Sequence, residues 1–102
     1  MHIYKILHEN EWIAAQKEGV FKGSTLDLKD GYIHCSTAEQ VDGTVKSFFT
    51  NAKDLIKLTI DVQKLGTDLK WEASPRSGKM YPHIYSFLEL TSISNAEKYS
   101  PN

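Results

Sequence analysis

The clearest constraint on the fold is a change of apolar period between residues 41 and 62. Side chains first recur at the spacing of one helix face, at Val41, Thr44, Val45, Phe48 and Phe49. From Ile56 to Val62 the apolar residues then alternate with polar ones, which is the period of a strand buried on one face. A helix followed by such a strand predicts an α+β domain in which this helix lies against a sheet.

The first third of the chain predicts a strand, a helix and a loop. Residues 2–7 carry apolar side chains on both sides of an extended segment, which predicts a central strand. Asn10 is the expected N-cap of a helix that runs to Glu18 and ends at Gly19. Residues 22–30 contain Gly, Ser, Thr and two Asp, and we expect a surface loop there.

The second half predicts mostly extended chain. A turn at residues 63–66, a strand at 69–72, a flexible loop at 73–79 and an extended segment at 80–90 are expected. Pro82 cannot donate a ladder hydrogen bond, so it predicts an edge, a bulge or a bend. The chain after Ile93 is expected to be partly frayed.

Composition limits the functional classes. The 102 residues, 40% hydrophobic and 25% charged, fit a single domain over residues 1–102. Twelve basic and thirteen acidic residues leave a formal charge of −1, which gives no general attraction to duplex nucleic acid or to an anionic membrane. Arg76 is the only arginine, so a phosphate-rich ligand held by several guanidinium groups is disfavoured.

Cysteine use and the N-terminus indicate a cytoplasmic protein. Cys35 is the only cysteine, which excludes an internal disulfide and a multi-cysteine zinc site and suits a reducing compartment. The N-terminus lacks the apolar core of a signal peptide, and nowhere do eighteen apolar residues follow one another. These features leave the oligomeric state undetermined.

Residues 30–37, Asp-Gly-Tyr-Ile-His-Cys-Ser-Thr, predict a strand that turns into a helix, and helix starts carry free N–H groups that favour anions. Ser36 and Glu39 match a capping box, which alone would explain both residues. His34 lies on the opposite side of the strand from Cys35. It could act as an acid, a base or a hydrogen-bond donor near neutral pH, or be a structural histidine.

A second polar and aromatic group flanks the loop at residues 73–79. It contains Trp71, Glu72, Arg76 and the Tyr-Pro-His-Ile-Tyr segment at 81–85. If the loop folds over this group, aromatic faces could stack a base, Arg76 could hold a phosphate and Glu72 could accept a ribose hydroxyl. The alternative is a core tryptophan, a solvated glutamate and a proline-bent strand.

Metal and nucleophile chemistry have less support in the sequence. His34, His83 and a carboxylate could ligate zinc or iron, but neither helical nor paired-cysteine spacing supports such a site. Cys35 faces away from His34 and has no identified base. The sequence lacks Gly-x-Gly-x-x-Gly, Gly-x-x-x-x-Gly-Lys and Gly-x-Ser-x-Gly, which argues against Rossmann, P-loop and α/β-hydrolase folds.

Several of these segments together resemble the bacterial domain-of-unknown-function 952 family over nearly the whole chain. They are residues 3–6, Trp12, residues 30–40, Thr44, residues 69–72 and residues 81–85. The resemblance implies a fold similar to that of the ADP-ribosyltransferases, in which a cleft between two small sheets holds NAD. Residues 32–36 are also similar to the His-Val-His-Leu-Ser stretch of RNA 2′-phosphotransferases, which implies a nucleotide contact for His34. Glu72 would be the catalytic glutamate of that superfamily, with Glu89 as the alternative.

We therefore predict a single α+β domain with mixed or antiparallel sheets, two main helices and an ADP-ribosyltransferase-like cleft. The implied ligand is a nucleotide, with NAD or ADP-ribose as the form expected, and the implied chemistry is ADP-ribosyl transfer. The predicted catalytic residues are His34 and Glu72, and the predicted ligand-binding residues are Ser36, Thr37, Gln40, Arg76, His83 and Tyr85. Two other functions stay open: a non-catalytic module that binds a protein or peptide, and a metal-dependent enzyme that uses the histidines.

Overall fold

Strands outnumber helices in the computed structural model, which describes residues 1–100. In chain order the elements are β1 (His2–His8), α1 (Glu9–Glu18), β2 (Val20–Phe21), α2 (Thr25–Asp30), β3 (Ile33–His34), α3 (Val41–Phe48), β4 (Leu55–Asp61), β5 (Leu69–Ala73), β6 (Met80–Ile84), β7 (Leu88–Glu89) and β8 (Ile93–Lys98). A short 3₁₀ turn, Ala38–Gln40, leads into α3. None of the helices in this part of the chain is both long and apolar enough to cross a bilayer.

The strands of residues 1–100 form three antiparallel sheets. Their orders are β1-β4-β8, β3-β6-β5 and β2-β7. Tyr4 and Ser36 exchange two backbone hydrogen bonds of 2.8 Å, which join β1 to the chain just after β3. The protein is therefore a small α+β domain with antiparallel sheets and a few helices, which confirms the fold class at this level of detail.

The core is built largely by β1 and β4. Ile3 and Leu7 of β1 and Leu58 and Ile60 of β4 are fully buried, as the alternation in β4 predicts. Each aliphatic side chain removed from water in this way contributes about 1.5–3 kcal/mol to folding before entropy is counted. The buried side chains of these two strands are thus the main source of the hydrophobic stabilisation that the sequence predicts.

Helix α3 lies against this sheet through part of its predicted face. Val41 and Val45 of α3, with Phe49 just after it, form an apolar cluster with Ile6 of β1 and Leu55 of β4. Phe48 is instead exposed, and the guanidinium carbon of Arg76 lies 5.4 Å from its ring centre. The predicted contact of α3 with the sheet is confirmed, whereas the inward position of Phe48 is wrong.

Two predictions about strand positions are wrong. β1 is an outer strand of its sheet and β4 is the middle one, so the predicted central position of β1 is wrong. Both faces of β1 are buried because its side chains pack in two apolar clusters, and the Ser36 bridge lies along its other edge. Residues 93–98 form β8, which pairs with β4, so the predicted fraying is wrong for them, and residues 101–102 lie outside the described part of the chain. The mostly polar composition of this segment gave no strand signal. Pairing with β4 nevertheless satisfies its backbone N–H and C=O groups.

Pro82 lies in β6, the middle strand of its sheet, so of the predicted edge, bulge or bend the edge position is wrong. Its carbonyl accepts a 3.0 Å hydrogen bond from the N–H of Cys35. In an antiparallel ladder the N–H and C=O of one residue face the same neighbour. The missing N–H of Pro82 therefore faces Cys35, just past the end of β3 at His34, and leaves a single ladder bond unformed there.

Residues 25–30 form α2, so the predicted surface loop at residues 22–30 is also wrong. Ser24 Oγ accepts from the N–H of Asp27 at 3.2 Å, and Asp27 Oδ2 accepts from the N–H of Ser24 at 2.9 Å, which is a reciprocal capping box. Gly31, with φ of 88°, ends the helix in the left-handed conformation. Six residues are too few to display a helical period, so the loop-like composition dominated the prediction.

Helix α1 begins at Glu9, with His8 at the N-cap position rather than Asn10. The N–H of His8 donates to Glu11 Oε1 at 2.9 Å. The predicted end at Gly19 is confirmed, since Gly19 adopts φ of 82° and its N–H bonds the carbonyl of Ala15.

Candidate functional site

One face of the β3-β6-β5 sheet carries two histidines side by side. The register pairs His34 with His83 and Ile33 with Ile84. Because side chains alternate across a strand, the isoleucines point into the core and the histidines lie on the other face. We call the five ring and carboxylate side chains gathered there the histidine face: Tyr32, His34, Glu72, His83 and Tyr85.

Glu72 connects His83 to Tyr85 on this face. Its Oε1 accepts a hydrogen bond from His83 Nδ1 at 2.7 Å and one from the Tyr85 hydroxyl at 2.6 Å. The bonds from Tyr85 and then His83 lower the pKa of Glu72, and the same contact raises the pKa of Tyr85 to about 12. Glu72 is thus an ionised acceptor that holds the imidazole and the phenol in fixed positions.

His34 is held by two carboxylates. Its Nδ1 lies 2.7 Å from Asp27 Oδ1, and its Nε2 lies 3.0 Å from Asp30 Oδ2. Ionised carboxylates only accept hydrogen bonds, so both contacts are hydrogen bonds when both ring nitrogens carry hydrogen. Neither nitrogen is then free to accept a proton or a ligand donor.

Asp27 is the buried centre of this network, with 1% of its surface exposed. Lys5 Nζ lies 3.0 Å from its Oδ2, and the N–H and ring of His34 reach its Oδ1 at 3.1 and 2.7 Å. Burial opposes ionisation of Asp27. The bond from His34, the charge of Lys5 and the N–H groups of Ser24 and His34 outweigh it, so the pKa of Asp27 lies well below its usual value.

Tyr32 covers the two imidazoles. Its ring stacks on His83 with centres 4.0 Å apart and lies 4.5 Å from the ring of His34. Burial and then the negative charges of Asp30, Glu72 and Asp27 raise the pKa of Tyr32. The phenol therefore stays protonated near neutral pH and is available as a hydrogen-bond donor.

An open cavity of about 350 Å³ lies beside the histidine face. Tyr32 and Tyr85 line it and belong to both features, whereas His34, Glu72 and His83 are not among its lining residues. The other residues that line it are Lys22, Asp27, Leu28, Gly31, Ile33, Ile84, Ser86 and Phe87. The Nζ of Lys22 lies 5.9 Å from the centre of the Phe87 ring. The cavity thus combines aromatic faces with the ammonium group of Lys22 and the carboxylate of Asp27. Its volume is near the lower end for small-molecule sites.

The predicted ligand-binding residues Ser36, Thr37 and Gln40 are all engaged within the fold. Ser36 is buried, and its Oγ lies 2.9 Å from Thr44 Oγ1. Thr37, not Ser36, is the N-cap of the 3₁₀ turn, and its N–H donates to Gln40 Oε1 at 3.0 Å. Gln40 Nε2 donates to the carbonyl of Met80. The predicted Ser36–Glu39 capping box is displaced by one residue, and these contacts fasten the helix start to β6.

The other predicted residues divide between this face and more distant places. His34, Glu72, His83 and Tyr85 come together as predicted. Arg76 lies in the loop between β5 and β6 and stacks on Phe48 instead. Glu89, the alternative catalytic glutamate, pairs with Val20 in the β2-β7 sheet. Trp71 is not a core residue, since it is partly exposed on β5.

Sequence reasoning missed Lys5 and Asp27. The sequence did contain a signal for Lys5, because it lies on the same side of β1 as the buried Ile3 and Leu7. A lysine in such a position requires a carboxylate partner. Nothing in the sequence indicated which carboxylate would fill that role. Asp27 was hidden because its segment was interpreted as an exposed loop.

The geometry does not favour the metal and cysteine alternatives. Among residues 1–100, no group of three or more His, Cys, Asp or Glu side chains is arranged to hold a metal ion. Cys35 is buried in the core, and this burial raises the pKa of its thiol to about 12, which disfavours the nucleophilic thiolate.

Acid should remove the stability that Asp27 contributes. Because the folded pKa of Asp27 is lowered, its contribution is fully present above about pH 4, the unfolded pKa, and is lost as the pH falls below that value. Urea unfolding from about pH 6 down to pH 2 checks this. We expect the wild type to lose more stability over this range than Asp27→Asn; parallel losses would contradict the prediction.

Comparison with known proteins identifies the family. The model of the family described as "Protein of unknown function (DUF952)" matches residues 6–96. The chain belongs to the DUF952 family. The crystal structure of protein CC0527 from Caulobacter crescentus has 40% sequence identity and a TM-score of 0.93, and the match covers 100% of this chain and 89% of that one.

A solution NMR structure of CC0527 from the same organism agrees, with a TM-score of 0.86 and 40% identity over 99% of this chain and 86% of that one. The search of curated proteins found no match. The DUF952 resemblance noted from the sequence is therefore confirmed, while the ADP-ribosyltransferase-like fold remains a prediction.

Proposed function

We propose that the cavity beside the histidine face binds a nucleotide or an ADP-ribose-type ligand. The observation that carries the proposal is the position of Tyr32 and Tyr85, which both line the cavity. Tyr32 also lies against the rings of His34 and His83, and Tyr85 donates to the Glu72 carboxylate that holds His83. An aromatic base or nicotinamide ring would stack on Tyr85 and Phe87. The sugar would then lie toward the polar groups of the histidine face.

The charges near the cavity support a ligand with few phosphates. Lys22 lines the cavity, and Lys70 Nζ lies 5.2 Å from the Tyr85 ring centre. These two lysines can neutralise a monophosphate or diphosphate, whereas Arg76 lies elsewhere on Phe48. ADP-ribose and AMP fit this supply of positive charge better than a triphosphate does.

ADP-ribosyl transfer extends the proposal to chemistry. Both hydrogen bonds from His83 and Tyr85 reach Oε1 of Glu72, so neither of these side chains occupies Oε2. An ionised carboxylate at that point would stabilise the positive charge that develops on the ribose as nicotinamide leaves NAD. Release of nicotinamide from NAD by the purified protein tests this extension.

An amide-shift NMR titration with AMP, ADP-ribose and NAD tests the binding proposal. We expect saturable shifts at the cavity residues Lys22, Leu28, Tyr32, Tyr85 and Phe87, and unchanged shifts in β8 on the first sheet. No shift at millimolar ligand would reject the proposal, because even a site with Kd of about 1 mM would be half occupied there.

A protein- or peptide-binding module is the second candidate. It is favoured by the exposed apolar rim of the same cavity, where Leu28 is 64% and Phe87 56% exposed. Such rims occur at interaction sites. This candidate predicts no nucleotide shifts and no release of nicotinamide, so the same titration separates the two functions.

A further inference from the structure

Strand β5 leaves one of its edges uncovered. It is the end strand of the β3-β6-β5 sheet, and no strand within residues 1–100 pairs with its other edge. Lys70 and Trp71 are both exposed there, Trp71 by 37% of its surface. An uncovered strand edge can pair with another chain through its backbone groups. The edge of β5 is therefore a surface on which a partner strand could bind.

The register shows which backbone groups of β5 face this edge. Trp71 lies opposite Pro82, and the carbonyl of Pro82 accepts from the N–H of Cys35 on the far side of β6. The pair of Trp71 and Pro82 is thus not hydrogen-bonded, so the N–H and C=O of Trp71 point away from β6. Because such pairs alternate with hydrogen-bonded ones, the same holds for Leu69 and Ala73.

The sequence of β5, Leu-Lys-Trp-Glu-Ala, is self-complementary about Trp71. In an antiparallel pair of two such strands centred on Trp71, the outward groups of residues 69, 71 and 73 form a hydrogen-bonded ladder. The same register puts Lys70 opposite Glu72 of the second copy, at the positions where side chains lie closest. On the other face the two Trp71 rings become neighbours. One two-fold axis thus satisfies the backbone groups, the charges and the exposed aromatic ring together.

The other long outer strands of residues 1–100 lack this property. The outer edge of β1 carries the bridge from Tyr4 to Ser36. In β8 the two charged residues that follow one another, Glu97 and Lys98, point to opposite faces of the sheet. No two-fold axis through a residue of β8 can therefore bring them opposite each other. Charge complementarity singles out β5.

We propose that β5 pairs antiparallel with β5 of a second copy of this chain, which gives a weak symmetric dimer. This inference goes beyond the proposed nucleotide site and does not depend on it. An edge of five residues buries less than the roughly 1,200 Å² of a standard interface, so a dissociation constant in the micromolar to millimolar range is expected. Since Glu72 also holds His83, Lys70 of the second copy adds a positive charge beside the histidine face.

Sedimentation equilibrium over roughly 10 µM to 1 mM protein tests the proposal. We expect the mean mass to rise with concentration from that of one chain toward that of two. Lys70→Glu puts two glutamates opposite each other at both symmetric positions, so it should weaken association by about 10-fold or more. Glu97→Lys is the matched charge reversal on β8 and should leave association unchanged. Circular dichroism checks that both variants fold.

Mixing two variants provides a gain of association as a second test. Lys70→Glu and Glu72→Lys should each associate weakly alone, because each places like charges opposite one another. In the mixture every glutamate at these positions faces a lysine of the other chain, so a heterodimer should form. If Glu72→Lys fails to fold without its contact to His83, the comparison of Lys70→Glu with Glu97→Lys still decides the matter.

Hydrogen exchange of the wild type locates the interface. The amides of Trp71 and Ala73 should become protected as the protein concentration rises. The amide of Glu72, which faces β6 in the hydrogen-bonded register, should not change. A single-chain mass at every concentration would overturn the inference and leave the β5 edge to a strand of different sequence. Equal effects of Lys70→Glu and Glu97→Lys, or new protection on another strand, would overturn it as well. None of these results affects the proposal of a nucleotide site.

Discussion

Replacing Asp27 with Asn should lower the free energy of unfolding by about 3–5 kcal/mol, the usual effect of removing one partner of a buried ion pair. The substitution keeps the size of the side chain but leaves Lys5 without a counterion. Lys5 is 5% exposed, and its Nζ has the His34 carbonyl, at 2.9 Å, as its other hydrogen-bond partner. An unpaired ammonium group at this depth is not compensated by one neutral acceptor.

Urea unfolding monitored by circular dichroism measures this change, and Asp54→Asn is the matched control. Asp54 also pairs with a histidine, His8 at 3.0 Å, but both side chains are solvent-exposed. Exposed pairs contribute little, so Asp54→Asn should leave the unfolding curve nearly unchanged. Equal effects of the two substitutions would show that burial of the Lys5–Asp27 pair does not matter for stability.

A double-mutant cycle separates the pair from its surroundings. The Lys5→Met/Asp27→Asn variant removes the stranded charge as well as the carboxylate, so it should be less destabilised than the sum of the two single changes, by about 0.5–3 kcal/mol. Additive single effects would instead locate the cost of Asp27→Asn in the capping bond that its carboxylate accepts from the Ser24 N–H and in its contact with His34.

Replacing Tyr85 with Ala should weaken nucleotide binding by roughly 5- to 150-fold, because base stacking on an aromatic ring contributes about 1–3 kcal/mol. Tyr85 is 41% exposed and lines the cavity, so the variant should still fold. Isothermal titration with AMP or ADP-ribose measures the loss of affinity directly.

Tyr85→Phe is the control that keeps the ring and removes the hydroxyl. This variant loses the 2.6 Å bond to Glu72 but keeps the stacking surface. Its affinity for the nucleotide should therefore remain within about 3-fold of the wild type. A change of that size is smaller than the loss of one hydrogen bond between ligand and a charged group would cause. A large loss in Tyr85→Phe, or none in Tyr85→Ala, would show that Tyr85 does not stack the ligand.

Local periodicity was sufficient for the elements that build the core. The alternation from Ile56 to Val62 and the helical spacing from Val41 to Phe49 each predicted an element that the structure contains. Such patterns are readable because one face of each element must be buried. The fold class followed, and the resemblance of the chain to DUF952 is confirmed by the family match.

The site was predictable only as a set of residue types. His34, Glu72, His83 and Tyr85 were singled out by their chemistry near turns and strand ends, and β-sheet register brings them together. Ser36, Thr37 and Gln40 had the same appearance in sequence but are used to fasten the start of α3. A hydroxyl that caps a helix and one that binds a ligand look alike until their partners are known.

By itself the sequence determined which segments are strands and helices with one apolar face, since that depends on side chains a few residues apart. Only the tertiary structure decided that β6, with its proline, is a middle strand, that β1 is an outer one, and that Lys5 meets Asp27 across 22 residues. Such pairings depend on distances between residues far apart in the chain. A lysine among buried apolar strand residues requires a carboxylate partner, and this can be read from the sequence. Which carboxylate lies close enough to pair with it is decided by the fold.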